Sequence, residues 1–204
     1  MMALYSSENC LDCHRVRFIL AEKGINVEII HVEQDRAATA DLADLNPYGE
    51  TPTLVDRDIV LYGTWVVAEY LDERYPHPPL MPIDPVSRSR LRLAMYRVHR
   101  DWVQAGEILE KSSGEKKLAA TRKALRESLV ASDDLFGLTP FLLHDELSLA
   151  DCALVPLLWR LPAYDVDLGP REIPNLSKYM DRMFRRGSFQ RSLTEVERAV
   201  REGD

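Results

Sequence analysis

The stretch Asn46-Pro47-Tyr48-Gly49-Glu50-Thr51-Pro52-Thr53-Leu54-Val55 constrains this chain more than any other. Its first half is turn chemistry, Asn-Pro followed by Gly. Its second half is a Thr-Pro step that runs straight into apolar, β-prone residues. Proline has no N–H to give to a ladder, so it is tolerated only at the first residue of a strand or on an edge. The X-Pro bond is also the one peptide bond whose cis form is inexpensive, and a cis proline typically marks a tight turn. A cis Thr51–Pro52 bond would turn the N–H and C=O of Thr51 toward solvent, where an extended peptide could pair with them. The alternative is an ordinary proline that opens a strand.

The strand at Thr53 to Val55 needs partners, and the preceding residues supply them. Residues 2–6 read as a first strand, followed by a polar loop through Ser7 and Asn9 that can cap a helix. Phe18, Val16, Ile19 and Leu20 have helical spacing, and Gly24 just past Lys23 is a natural stop. Val27 to Val32 is a second strand, and residues 37–44 form a short helix. Ile59 to Leu61 returns from Val55 through Asp56-Arg57-Asp58 as a tight hairpin. Thr64 to Arg74 is a helix with Val67, Tyr70 and Leu71 on one face. The order is β-α-β-α-β-β-α, with a C-x-x-C pair, Cys10 and Cys13, where the first helix begins. That pairing near a βαβ unit is the thioredoxin-like signature.

The pattern changes at Tyr75-Pro76-His77-Pro78-Pro79-Leu80-Met81-Pro82. Prolines this dense cannot continue a helix and favour an extended segment. The charge shifts at the same place: residues 1–80 carry 6 basic and 14 acidic side chains, and the remainder 20 and 19. Beyond the break only helices are expected. Pro85 to about Lys111 reads as one long helix, and Glu115 to Phe136 as a second, ended by Gly137 and Pro140. Ser148-Leu149-Ala150-Asp151 resembles a capping box that opens a third helix. Its body, Ala153 to Trp159, is apolar all round and belongs at the centre of a bundle. Pro174 to about Phe184 and Phe189 to about Arg201 close the chain. The expected division is 1–76, a linker 77–84, and an all-helical 85–204.

Composition excludes several classes. A net charge of −7 argues against generic nucleic-acid binding, and direct sequence-specific DNA contact is not expected. No stretch approaches the length of a membrane span, and no signal peptide is visible at the start. Three cysteines, an odd number in a chain too long to need staples, suit a reducing compartment and a cytoplasmic protein.

A thioredoxin-like half followed by an all-helical half resembles the glutathione transferase superfamily over the whole length. The matching residues are Leu4-Tyr5-Ser6, Val16-Arg17, Ala21-Glu22-Lys23-Gly24, Asn46-Pro47 through Leu54, and Ser148 to Asp151. Within that superfamily, Leu71 to Pro82, then Asp101-Trp102, then Ala153 through Pro162 are most similar to the stringent starvation protein A family. That resemblance implies an RNA polymerase-associated regulator that keeps the fold without transferase activity. Its implied partner is the polymerase holoenzyme or its sigma factor, contacted by a surface around Tyr75, Pro76, His77, Pro78 and Pro79. No cofactor is expected. A rigid interdomain linker is the alternative role for those prolines.

Four further sites follow from the residues and the resemblance. Cys10 is the nucleophile if the chain is an enzyme, because unpaired N–H groups at a helix start favour a thiolate. Leu11 stands where such enzymes usually carry proline, and the acid of Asp12 opposes the thiolate. A glutathione shelf would use Thr51, Pro52, Gly63 and Thr64, but Gly63 has no carboxylate for the ligand's ammonium, so the shelf reads as vestigial. Thr64 can still cap the helix. Arg88, Arg92 and Arg97 lie in a run without acid from Val86 to Arg100. They are candidates for a homodimer contact with the acidic first half of a partner subunit. Cys152 reads as a core residue, and no metal site is expected from the spacing of His14, His31, His77, His99 and His144.

Overall fold

A computed structural model describes residues 2–33 and 36–201. It separates into two units. One holds the described residues up to Pro78 together with Ser188–Ala199, and the other holds Pro79–Gly187 with Val200 and Arg201.

The first unit is built on a four-stranded mixed sheet in the order β2-β1-β3-β4. Strand β1, Met2–Ser6, runs parallel to β2, Glu28–His31, and antiparallel to β3, Thr53–Asp56, with Leu4 opposite both Ile29 and Leu54. Strand β4, Ile59–Tyr62, closes the hairpin with Val55 opposite Val60. Arg57 takes a left-handed backbone, φ 57°, at the turn. Helices α1 (Leu11–Glu22), α2 (Arg36–Leu45) and α3 (Thr64–Arg74) complete the expected βαβαββα order. Leu4, Leu54, Val16, Phe18, Val67 and Leu71 are fully buried and form the layer between sheet and helices. The Thr51–Pro52 bond is cis. Asn46 holds the turn before it: its side-chain amide donates to Glu50 O and Thr53 Oγ1, both at 3.0 Å.

The second unit is helical. Residues 85–111 are helical throughout, but not as one regular helix. Helix α4 (Pro85–Val98) passes into a π-helical turn, His99–Val103, before α5 (Gln104–Lys111). Asp84 caps α4 by accepting from Ser87 N at 2.8 Å, and Pro85 fills the first position. Helix α6, Glu115–Ala131, stops short of the expected Phe136, and a single turn α7 (Leu135–Leu138) follows. The reason is Asp133. Its carboxylate leaves the helix to accept from Asn175 N at 3.1 Å and Leu176 N at 2.8 Å, so it supplies the missing partners at the start of α9, Pro174–Phe184. Helix α8, Leu149–Arg160, is buried at every residue, and its Ser148/Asp151 capping box is formed. The core gathers Leu91, Met95, Trp102, Val103, Leu129 and Phe136 around it.

The closing helix expected over 189–201 is instead two short ones, α10 (Gly187–Ser192) and α11 (Glu195–Ala199). Thr194 and Glu197 cap each other across the break: Thr194 N donates to Glu197 Oε2 at 3.0 Å and Glu197 N to Thr194 Oγ1 at 3.2 Å. The Thr-x-x-Glu spacing is a capping-box signature that could have located this break. The Ser188–Ala199 segment groups with the first unit, where Phe189 stacks edge-on against Phe18 with centroids 5.3 Å apart.

Candidate functional site

The proline run begins where α3 ends. Tyr75 N–H closes the helix on Leu71 O at 3.1 Å, and Pro76, His77, Pro78 and Pro79 are all exposed. The His77–Pro78 bond is cis, a second such bond that the sequence pattern did not single out. What holds the run is Lys23, whose side chain is completely buried. Its ammonium has three donors and spends all of them: on Tyr75 O at 2.6 Å, on Pro78 O at 2.8 Å, and on the Asp72 carboxylate at 2.7 Å. A buried lysine is tolerated only with such partners. In the sequence Lys23 looked like an ordinary helix end, because its acceptors lie 52 and 55 residues away.

Thr51 is half-buried before its cis proline, and its hydroxyl lies 3.0 Å from that of Ser7. Gly63, not Thr64, is the N-cap of α3, so the helix starts without a side-chain cap, and Thr64 is its first residue. Gly63 sits at φ 80°, a conformation L side chains rarely adopt, although a Cβ there would meet only Val66 Cγ2 at 3.9 Å. Backbone angle, not space, keeps a carboxylate away from this corner.

Cys10 and Cys13 share one hydrogen-bonded pair. Cys10 is the N-cap of α1 and its sulfur accepts from Cys13 N at 3.2 Å. The Asp12 acid expected to oppose a thiolate is itself paired with Arg15 at 2.7 Å. Burial raises the Cys13 thiol, but it is outweighed by hydrogen bonds from Cys10, from Ser7 N–H and from Thr51, with the Arg17 charge behind them; the thiol is lowered to about 7. The same Cys10–Cys13 hydrogen bond, followed by burial, pushes Cys10 far above the ordinary thiol range. The low-pKa sulfur is therefore the buried Cys13, while the half-buried Cys10 keeps its proton. Thiolate absorbance should accordingly rise in a single step near pH 7, where Cys13 titrates with its pKa of about 7. That step should vanish in Cys13→Ser, and a step that survives there would reassign it.

Behind the pair lies a group that superficially resembles a hydrolytic triad. His14 Nε2 lies 3.0 Å from Ser192 Oγ, and His14 Nδ1 lies 3.8 Å from Glu197 Oε1. The Ser192 hydroxyl already donates to Phe189 O at 2.6 Å, so the ring donates to Ser192 and is not its base. His14 and Glu197 are fully buried, and Arg17 meets Glu197 at 2.6 Å. This is a structural network that seats the 188–199 segment.

Of the arginine candidates, Arg88 is half-buried, whereas Arg92 and Arg97 are exposed. Arg97 pairs loosely with Asp101 at 3.8 Å. Among the described residues no group of three or more acidic, histidine or cysteine side chains is placed to hold a metal, and no helix is long and apolar enough to cross a membrane.

Comparison with known proteins agrees with this frame. Residues 9–74 match the glutathione S-transferase N-terminal domain and residues 74–187 the glutathione S-transferase C-terminal domain. A glutathione S-transferase from Methylobacillus flagellatus KT, solved with GSH bound, superposes with a TM-score of 0.75 at 26% identity, covering 95% of this chain and 99% of that one. The fold and the two matching domains define a glutathione transferase-like protein: a thioredoxin-type sheet unit followed by a helical unit. Glutathione S-transferase Z1 of Arabidopsis thaliana is 31% identical over 95% of this chain and 92% of its own length. The Stringent starvation protein A homolog of Coxiella burnetii (strain RSA 493 / Nine Mile phase I) is 44% identical over 100% of this chain and 97% of its own. The chain belongs to the stringent starvation protein A family.

Proposed function

We propose that this protein is an RNA polymerase-associated transcription regulator, a cytoplasmic homodimer that works by protein–protein contact without essential catalysis. The observation that carries the proposal is the exposed Pro76–Pro79 run pinned from below by the buried Lys23 ammonium. A surface already fixed in its bound shape loses little entropy on docking. His77, exposed among prolines, gives it a polar handle. The partner is the polymerase holoenzyme, at its core or its sigma factor. The dimer contact is α4, where Val86, Leu93 and Tyr96 are 60%, 60% and 55% exposed beside Arg92 and Arg97. Helical spacing puts the three apolar residues on one face.

The similarity to Glutathione S-transferase Z1 favours a second reading, a glutathione-dependent thiol transferase using Cys10. The bare Gly63 corner counts against it. Co-purification with polymerase decides between them. His77→Ala combined with Pro78→Ala should lose the enzyme while wild type retains it. Equal retention, together with mixed-disulfide turnover that disappears in Cys10→Ser, would establish the transferase instead.

A further inference from the structure

We infer that Cys10 and Cys13 form a reversible thiol–disulfide modification site, in which Cys10 takes a thiol from a small disulfide and Cys13 resolves the adduct into an internal disulfide. The inference goes beyond polymerase docking and does not rest on it.

Position supplies the first argument. Cys10 is extended, φ −139° and ψ 122°, at the N-cap, and Cys13 is the third residue of α1. Residues three apart on a helix hold their Cβ atoms about 5–6 Å apart, and closing a disulfide asks for about 3.5–4.5 Å. The extended N-cap can swing its side chain across that gap, and the two thiols already share a hydrogen bond. No chain rearrangement beyond the first turn is needed.

Asymmetry supplies the second. Cys10 is half-buried, whereas Cys13 is fully buried. Cys13 Sγ is held from behind by Ser7 N–H at 3.4 Å and by the Thr51 hydroxyl, with the Arg17 guanidinium near. Arg17 is itself anchored on Ser6 Oγ at 2.6 Å and Ser7 O at 3.1 Å. The half-buried Cys10 is the sulfur nearer solvent and meets the co-reactant, and the fully buried Cys13 waits as a stabilised thiolate.

The chemistry balances with glutathione disulfide as the oxidant. Cys10 passes its proton across the shared hydrogen bond to Cys13 and attacks one glutathione sulfur. The glutathione S–S bond breaks, and the first glutathione leaves as thiolate and takes up the proton that Cys13 received from Cys10. The Cys13 thiolate then attacks Cys10 Sγ, and the second glutathione leaves as thiolate. The two protein thiols are oxidised to one disulfide, and one glutathione disulfide is reduced to two glutathiones. In the reverse direction a reductant attacks Cys10 Sγ and expels Cys13, the better leaving group because its thiolate is stabilised.

The test is intact-mass spectrometry with peptide mapping on the reduced, native full-length chain after exposure to glutathione disulfide. Wild type should lose the mass of two hydrogens, mapped to a Cys10–Cys13 bridge, and recover on reduction. Cys13→Ser should accumulate one glutathionyl group at Cys10, and Cys13→Ala should repeat this if the serine variant folds poorly. Cys10→Ser should remain unmodified at Cys13. Cys152, fully buried in α8, should not react in any of them. A wild type that stays reduced, or that keeps a glutathionyl group at Cys10, overturns the proposal. So does modification of Cys13 in the absence of Cys10.

Discussion

Replacing Lys23 with methionine should destabilise the protein by about 3–5 kcal/mol, because breaking one side of a buried ion pair leaves the other charge uncompensated. The Asp72 carboxylate is 8% exposed and would lose its 2.7 Å partner. Urea unfolding should show a lower midpoint with an unchanged slope. Lys23→Arg should not rescue the loss, since a planar guanidinium cannot aim at three acceptors that converge on one point. Lys23→Met combined with Asp72→Leu removes both charges and should restore most of the stability. It should not restore docking, because the Tyr75 and Pro78 carbonyls would have lost the ammonium that pins them. That variant separates folding from the presentation of the ridge. A loss below about 1 kcal/mol in Lys23→Met would mean that the pair behaves like a solvated surface bridge.

Asp151→Ala should cost at least as much. Asp151 is fully buried and accepts from Leu142 N at 2.8 Å, Ser148 N at 2.9 Å, Ser148 Oγ at 3.1 Å and Tyr179 OH at 2.7 Å. Removing the carboxylate orphans two backbone N–H groups and a buried phenol, each worth about 1–3 kcal/mol, so the total is about 3–9 kcal/mol. Tyr179→Phe removes one donor and should cost only about 1 kcal/mol. Thermal and urea unfolding of the two variants measure the difference. A near-neutral Asp151→Ala would require water to enter the start of α8 and take over these bonds.

Much of this was legible because it is local. The proline entering β3, the hairpin at Arg57, and the Ser148–Asp151 box each depend on neighbours within a few residues, and each appears as the spacing suggested. The fully apolar body of α8 identified a buried helix for the same reason. What was not legible depends on distant partners. Lys23 is recognised as a clamp only once α3 brings Asp72 and Tyr75 beside it. Arg17 and Glu197 are separated by 180 residues, so nothing in either segment announces that 188–199 packs in the first unit. The end of α6 at Ala131 reflects Asp133 being drawn to the start of α9, a preference no helical periodicity encodes. The π-helical turn at His99–Val103 breaks no residue rule and carries no sequence mark. At the thiols, motif and helix start pointed to Cys10, but the balance of donors places the thiolate on Cys13.

A scaffold of the glutathione transferase type carries a proline ridge held by one buried cation. The measurement that reaches it most directly is the affinity of polymerase holoenzyme for three immobilised proteins: wild type, His77→Ala with Pro78→Ala, and Cys10→Ser with Cys13→Ser. Binding abolished by the ridge substitutions and unchanged by the two serine substitutions is the predicted result. Binding unchanged by the ridge substitutions but lost with the thiols would contradict it.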